Sequence, residues 1–257
     1  AKLQTLDLKY NSIGAEGARA LGKDSTWAEL KTLSIGYNSI KAEGIEELSK
    51  NSMWKKLESL DLESNLIGSD GAVKLSRNTS WSNLQMLNLR SNSIGTEGVR
   101  ELSQNLVWTK LHTLDLAWNM IDDKGTEELS RNVVWTNLMT LNLGHNLIGV
   151  EGIKLLSENK TWTNLSLLNL GHNKLGAEGA GALGKNITWR NLQILCLENN
   201  EIGTEGAARL SWNTSWSNLR ALNLRSNFID ARGAEELSKN TSWVNMQTLD
   251  LVGNDIH

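Results

Sequence analysis

Residues 57–83, LESLDLESNLIGSDGAVKLSRNTSWSN, form one copy of a 27-residue unit that repeats along the whole chain. The copies follow one another from Leu3 to His257 without an insertion or a deletion, and the tenth copy is partial. When Leu57 is numbered as position 1 of its copy, position 4 is always Leu, position 9 always Asn, position 15 always Gly and position 25 always Trp. Such a fixed period predicts a repeat protein in which each unit packs against its neighbours.

The apolar residues of each copy change their spacing after position 11. Positions 4 and 6, such as Leu60 and Leu62, alternate with polar residues, which predicts a short strand with one buried face. Positions 12–22 begin with Gly or Asp in every full copy except the one with Lys41, usually carry an acid at position 14 and always carry Leu at position 19, which predicts a short helix capped at position 12. Strands that run in one direction and are joined through helices form a parallel sheet.

The LxxLxLxxNxI core of each copy resembles the leucine-rich repeat family, specifically its ribonuclease-inhibitor-like class. The resemblance covers essentially the whole chain and implies an α/β solenoid. We expect a horseshoe with a parallel β-sheet on the concave face and short α-helices on the convex face. The array curves because neighbouring strands lie about 4.8 Å apart, whereas packed helices lie about 8–10 Å apart. The prediction is a single leucine-rich repeat domain over residues 1–257, with nine full repeats, a final strand and no evident caps.

Four constant or nearly constant positions predict roles in the scaffold. Position-9 asparagines such as Asn65 are expected to form a ladder of hydrogen bonds to the backbone, as the resemblance also implies. Position-15 glycines such as Gly71 indicate close approach of the helix to its surroundings. Position-22 asparagines such as Asn78 are expected in the left-handed conformation that ends a helix. Position-25 tryptophans such as Trp81 predict an internal stack whose N–H groups find partners.

Positions 7 and 8, at the end of each strand, differ most between copies. Position 7 faces away from the core and position 8 lies at the rim of the sheet, so the scaffold does not fix either side chain. We predict that a protein partner binds on the concave face and its rim, through Tyr10, Tyr37, Glu63, Arg90, Trp118, His145, His172, Glu198 and Arg225. Tyr and Trp often dominate interfaces, so Tyr10, Tyr37 and Trp118 are the expected anchors. The alternative is neutral drift on a solvated face.

Composition excludes several other classes of protein. A net charge of −3 argues against binding to nucleic acid or a membrane surface, and no apolar run approaches the roughly 20 residues that cross a bilayer. The single cysteine, Cys196, rules out an internal disulfide framework. We therefore expect a non-catalytic protein with no cofactor, no nucleic-acid partner and no membrane partner, and a cytoplasmic location is favoured.

Three alternatives stay open. The gapless frame also suits a structural or engineered scaffold without a dedicated ligand. His145 and His172 share one position in adjacent copies and could hold a metal with Asp115 or Cys196, although that set of ligands is incomplete. Cys196 could also be a nucleophile, but no group is identified that would orient a base or stabilise an oxyanion. Some proteins of the leucine-rich repeat family, which this sequence resembles, activate GTPases through an arginine. No feature of this sequence distinguishes one arginine for that role.

The two ends of the array carry strands without a polar cap. Leu3, Leu6 and Leu8 at one end, and Leu249 and Leu251 at the other, lack a further repeat to cover them. Because unpaired edge strands invite association, we expect a fragment of a longer array or an end-to-end homo-oligomer.

Overall fold

The computed structural model describes residues 2–257, and each full repeat within them contributes one strand and one helix. The strands are β1 (Thr5–Asp7), β2 (Thr32–Ser34), β3 (Ser59–Asp61), β4 (Met86–Asn88), β5 (Thr113–Asp115), β6 (Thr140–Asn142), β7 (Leu167–Asn169), β8 (Ile194–Cys196), β9 (Ala221–Asn223) and β10 (Thr248–Asp250). The helices are α1 (Gly14–Gly22), α2 (Lys41–Ser49), α3 (Gly68–Ser76), α4 (Gly95–Ser103), α5 (Asp123–Ser130), α6 (Val150–Ser157), α7 (Gly176–Gly184), α8 (Gly203–Leu210) and α9 (Ala231–Ser238).

The chain packs as two compact units. The first unit comprises residues 2–120 and Asn132–Leu138, and the second comprises Ile121–Arg131 and Met139–His257. Strands β1–β5 lie in the first unit and β6–β10 in the second, and within each unit neighbouring strands are parallel. Partners in the sheet are residues one repeat apart, as Leu33 is opposite Leu60. The predicted α/β repeat fold is therefore confirmed in each unit.

The core of each repeat lies between its strand and its helix. In the fourth repeat, Leu87 and Leu89 of the strand region, Ile94 and helix residue Leu102 are all buried. A Cβ added at position-15 Gly98 would lie 2.8 Å from the Cβ of Ala72 in the preceding helix. The predicted close approach at this position is thus confirmed, and it explains why a glycine is retained inside a helix despite its conformational cost.

The asparagine ladder at position 9 is present as predicted. The side chain of Asn65 donates through Nδ2 to the carbonyl oxygens of Ile35 (2.9 Å) and Leu62 (3.0 Å). Its Oδ1 accepts from the backbone N–H groups of Asn38 (3.0 Å) and Ile40 (3.4 Å) in the preceding repeat. One buried side chain therefore satisfies backbone groups in two adjacent repeats, at the point where each strand ends.

The predicted N-cap at position 12 is confirmed only in some repeats. Asp122 and Asp230 have extended backbone, and each carboxylate accepts a hydrogen bond from the backbone N–H three residues later. Gly149 is also an extended N-cap. In the other repeats the N-cap prediction is wrong, because the position-12 residue is itself the first residue of the helix. Its φ there is positive, as at Gly68 with φ +65° and Lys41 with φ +62°.

Position-22 asparagines do not adopt the left-handed conformation predicted for them, since none of the described ones has a positive φ. They form a second ladder instead. Asn78 Oδ1 accepts from the backbone N–H groups of Ser80 (3.0 Å) and Trp81 (2.9 Å), and Nδ2 donates to the carbonyl of Ser49 in the preceding repeat (2.7 Å). The asparagine recurs in every full repeat except the first, which has Asp24, because it positions the tryptophan turn and links it to the neighbouring helix end.

The tryptophans at position 25 are buried as predicted in every full repeat except the first, where Trp27 is half-buried, and the rings of Trp54 and Trp81 stack with centroids 6.4 Å apart. The prediction that their N–H groups find partners is wrong, because eight buried indole nitrogens of the described chain donate no hydrogen bond: Trp54, Trp81, Trp108, Trp135, Trp162, Trp189, Trp216 and Trp243. An unmade hydrogen bond costs about 1–3 kcal/mol. Burial of 150–250 Å² per ring at about 25 cal/mol/Å² contributes about 4–6 kcal/mol, so burial of the ring outweighs it.

Helices of this length do not cross a bilayer, and none in the described part of the chain is both long and apolar enough to do so.

Candidate functional site

The position-7 side chains are held at the strand ends by a contact that the sequence did not reveal. Position-5 side chains accept a hydrogen bond from the backbone N–H of position 7, as Asp61 Oδ1 does from Glu63 (3.0 Å) and Asn88 Oδ1 does from Arg90 (3.0 Å). Position 5 is Asp or Asn in all copies except those with Ser34 and Cys196, and this was the available signal, because these short side chains commonly bond the backbone two residues further on. Position 5 thus supports the site from within the strand.

Position 8 has a left-handed backbone in every copy, with φ between +51° and +73°. The residues concerned are Tyr10, Tyr37, Ser64, Ser91, Trp118, His145, His172, Asn199, Ser226 and Gly253. For a residue other than glycine, this conformation costs about 1–2 kcal/mol of conformational free energy, and Asn tolerates it best. The aromatic side chains at this rim therefore stand in a backbone conformation that disfavours them, as Leu66, Met120 and Phe228 do two positions further along their repeats.

In the first unit, Tyr10, Tyr37, Glu63 and Arg90 come together in one cluster. The rings of Tyr10 and Tyr37 stack with centroids 4.4 Å apart and planes 19° apart. The Tyr37 hydroxyl donates to Glu63 Oε1 (2.8 Å), and Arg90 Nε lies 3.6 Å from the same oxygen. The hydrogen bond to Glu63 raises the pKa of Tyr37, because the carboxylate stabilises the protonated hydroxyl.

A second ion pair stands beside this cluster. Lys9 Nζ lies 2.5 Å from Asp61 Oδ2, and this hydrogen bond raises the pKa of the Lys9 ammonium. Trp118, the remaining anchor predicted in this unit, is 49% exposed at its rim position. Trp212 is 63% exposed, and it follows helix α8, on the opposite side of the fold from the strands.

In the second unit, His145, His172 and Glu198 form the corresponding cluster. The imidazole rings stack with centroids 3.9 Å apart and planes 13° apart. His172 Nε2 lies 3.5 Å from Glu198 Oε1. Arg225 is placed next to Asp250, with Nη1 and Oδ2 3.7 Å apart. The predicted site residues of this unit therefore lie on adjacent strands, at the same rim.

The geometry of the histidines does not support the metal alternative. The nitrogen lone pairs lie in the ring planes, and the lone pairs of two nearly parallel rings, stacked with centroids 3.9 Å apart, do not converge on one ion about 2 Å from both nitrogens. Within residues 2–257, no group of three or more His, Cys, Asp or Glu side chains is arranged to hold a metal. Burial, followed by the charge of Glu198, raises the pKa of the Cys196 thiol, which disfavours the thiolate that a nucleophile requires.

The family model described as Leucine Rich repeat matches nine segments of the sequence. They are residues 1–22, 30–49, 55–76, 82–103, 109–130, 136–157, 163–184, 190–211 and 217–238. No curated protein matches the sequence. Among solved structures, the chain is similar to an internalin from Listeria monocytogenes, with 19% identity, a TM-score of 0.48, and coverage of 99% of this chain and 82% of that chain.

Proposed function

The chain belongs to the leucine-rich repeat family, and from that premise we propose that it is a non-catalytic module that binds a protein partner. The partner occupies the exposed sheet face and its rim, and it contacts the variable residues at positions 7 and 8. We also propose that the repeats are of the ribonuclease-inhibitor-like class, since each full 27-residue unit carries a helix of eight or nine residues.

One observation carries this proposal: aromatic residues stand at position 8 in a backbone conformation that disfavours them. Tyr37, Trp118 and His172 all have φ between +56° and +60°. A rim under no functional demand would be expected to collect Gly and Asn there, because these residues relieve the strain. Partly exposed Tyr and Trp on a rigid scaffold supply large contact areas with few rotatable bonds, which suits them to anchor a partner.

A selection from a displayed random-peptide library tests the proposal. Peptides that bind the native protein are measured again on the double variant Tyr37→Ala/Trp118→Ala and on the matched control Trp212→Ala, which removes an exposed ring from the helix side. Loss of hot-spot residues costs about 2 kcal/mol or more, so we expect binding to the double variant to fall by about 30-fold or more, with no change for the control.

Circular dichroism of the double variant checks that the fold persists, as the exposure of both side chains leads us to expect. Two outcomes overturn the proposal. Peptides that bind the double variant fully, or that depend on Trp212 alone, place recognition elsewhere. A selection that enriches no peptide favours the scaffold without a ligand.

A further inference from the structure

The rim residues of the two units follow the same order. In each unit a stacked aromatic pair is followed by a glutamate in the next repeat and an arginine in the repeat after that. The offset between the two sets is five repeats, or 135 residues, and it relates Tyr10 to His145, Tyr37 to His172, Glu63 to Glu198 and Arg90 to Arg225. This longer period is added to the 27-residue period of the scaffold, and residues 78–84 recur with it as residues 213–219.

The contacts of the two glutamates repeat along with their identities. In both units Oε1 faces the aromatic ring of the preceding repeat, and Oε2 accepts from the position-5 asparagine of the following repeat. The pairs and distances are Glu63 with Tyr37 (2.8 Å) and Asn88 (3.4 Å), and Glu198 with His172 (3.5 Å) and Asn223 (3.0 Å). Each carboxylate thus has both oxygens engaged within its own unit.

A glycine at position 7 makes room for each glutamate. A Cβ added at Gly171 would lie 2.9 Å from Glu198 Cγ, and one added at Gly36 would lie 3.2 Å from the carbonyl oxygen of Glu63. A larger residue at either position would therefore crowd the glutamate of the following repeat. The two clusters therefore share a glycine beside the glutamate, while the Lys9–Asp61 ion pair belongs to the first cluster, since Gly144 and Cys196 are the counterparts of these residues in the second.

The two arginines, in contrast, have donors to spare. The carboxylate oxygens nearest to them lie 3.6 Å from Arg90 Nε and 3.7 Å from Arg225 Nη1, beyond hydrogen-bond distance, and neither guanidinium group donates a hydrogen bond within the described chain. A guanidinium group carries five N–H donors, and its preferred partner is a carboxylate bound by two of them. Each arginine thus stands in a loose ion pair with one carboxylate and keeps N–H donors for a further carboxylate.

We propose that each compact unit carries one copy of the same binding site, and that its ligand is an extended acidic segment of a partner protein. An aromatic or aliphatic side chain of the segment lies against the stacked pair, and a carboxylate side chain binds Arg90 or Arg225. The second ring of each pair and the arginine stand two strands apart, or about 10 Å, which is the length of about three extended residues. This inference rests on the proposed function and specifies its partner.

Synthetic peptides provide the test. The probe is a Gly/Ser-rich peptide in which a tryptophan is followed three residues later by a glutamate, and two further peptides carry glutamine or lysine in place of that glutamate. We expect calorimetric titration to show two acidic peptides bound per chain. Replacement of the glutamate by glutamine should weaken binding by about tenfold or more, and lysine should weaken it further, because a charge-assisted hydrogen bond is lost or reversed.

Variants of the protein locate the two sites. Arg90→Gln and Arg225→Gln should each leave one bound peptide, and the double variant should leave none. The matched control is Arg77→Gln, which removes the same charge from an exposed residue at the end of helix α3. Unchanged thermal unfolding of all variants would show that the fold is intact, since both rim arginines are partly exposed.

Three results would overturn the inference: one peptide per chain, equal or tighter binding of the lysine peptide, or two bound peptides in the arginine double variant. The proposed function is judged separately. Library peptides that depend on Tyr37 and Trp118 but need neither an acid nor either arginine would leave the proposed function standing and reject this inference. If library peptides bind the Tyr37→Ala/Trp118→Ala variant as tightly as the native protein, the proposed function itself is rejected.

Discussion

Two tryptophans ten residues apart in the chain show how differently one residue type is used in the first unit. Trp108, at position 25, is fully buried, and its counterparts in the other full repeats are all tryptophans. Trp118, at position 8, is half exposed with φ +59°, and its counterparts are Tyr, Ser, His, Asn and Gly. Packing fixes the first residue in every repeat. At the second, packing does not fix the side chain, and the left-handed backbone is occupied by residues of several types.

The contrast separates two reasons for keeping an aromatic residue. At position 25 the ring fills the space between adjacent repeats, and the free energy of its burial outweighs an indole N–H without a partner. At position 8 the ring gains little from burial and opposes the local backbone preference. An invariant aromatic position therefore marks the scaffold here, and a variable, strained one belongs to the surface that we propose for recognition.

The largest expected effect comes from exchanging the two tryptophans for alanine. Trp108→Ala should lower the free energy of unfolding by about 3–5 kcal/mol, because it leaves a cavity between repeats. Trp118→Ala should change it by no more than about 0.5 kcal/mol. Urea unfolding followed by circular dichroism measures both. A similar decrease in the free energy of unfolding for the two variants would mean that the ring of Trp118 contributes to packing as much as the buried ring of Trp108.

A smaller effect, of opposite sign, should follow from Ser91→Gly. Ser91 has φ +56°, so glycine relieves the strain of position 8 and should raise the free energy of unfolding by about 0.5–1 kcal/mol. Ser59→Gly, within strand β3, is the control, and it should lower stability by a similar amount because its backbone is extended. Destabilisation by Ser91→Gly would remove the strain argument for the aromatic rim.

The smallest effect concerns the sheet face beside the rim. Burial and the charge of Glu198 raise the pKa of Cys196, so less thiolate is present at any pH below that value. Alkylation by iodoacetamide at about pH 8 should be slower than for an unstructured cysteine peptide, and its rate should rise at higher pH. Glu198→Gln should move this profile to lower pH, and urea should restore the ordinary profile. A native rate equal to that of the peptide would contradict the raised pKa.

The sequence predicted most of the scaffold because its signals are local or strictly periodic. The alternation at Leu60 and Leu62 predicted a strand, and the constant Asn65 position predicted a ladder, which its two-repeat hydrogen bonding confirms. The role of Asn78 was predicted wrongly, because an asparagine suits both a left-handed helix end and a side-chain bridge. Only the position of Ser49 in the preceding repeat decides between the two.

The candidate site was predictable as a set of residues and not as an arrangement. Variation between copies pointed to positions 7 and 8, but it said nothing of their backbone. The left-handed conformation brings Tyr10 onto Tyr37 and His145 onto His172, whereas sequence spacing alone gives only the distance between strands. The support from position 5 was also missed, because alternation describes which face a side chain takes and not what it binds.

The sequence by itself determined the repeat length, the strand and helix of each unit, the buried leucines and tryptophans, and the positions left free to vary. These follow from hydrophobic periodicity and from the need to satisfy the backbone at each strand end. The tertiary structure alone decided which rim side chains stack, which carboxylate oxygens accept hydrogen bonds or form ion pairs, and which arginine N–H donors remain available. Such contacts join side chains 27 residues apart, and their geometry depends on backbone torsions and register that become fixed only when repeats pack together.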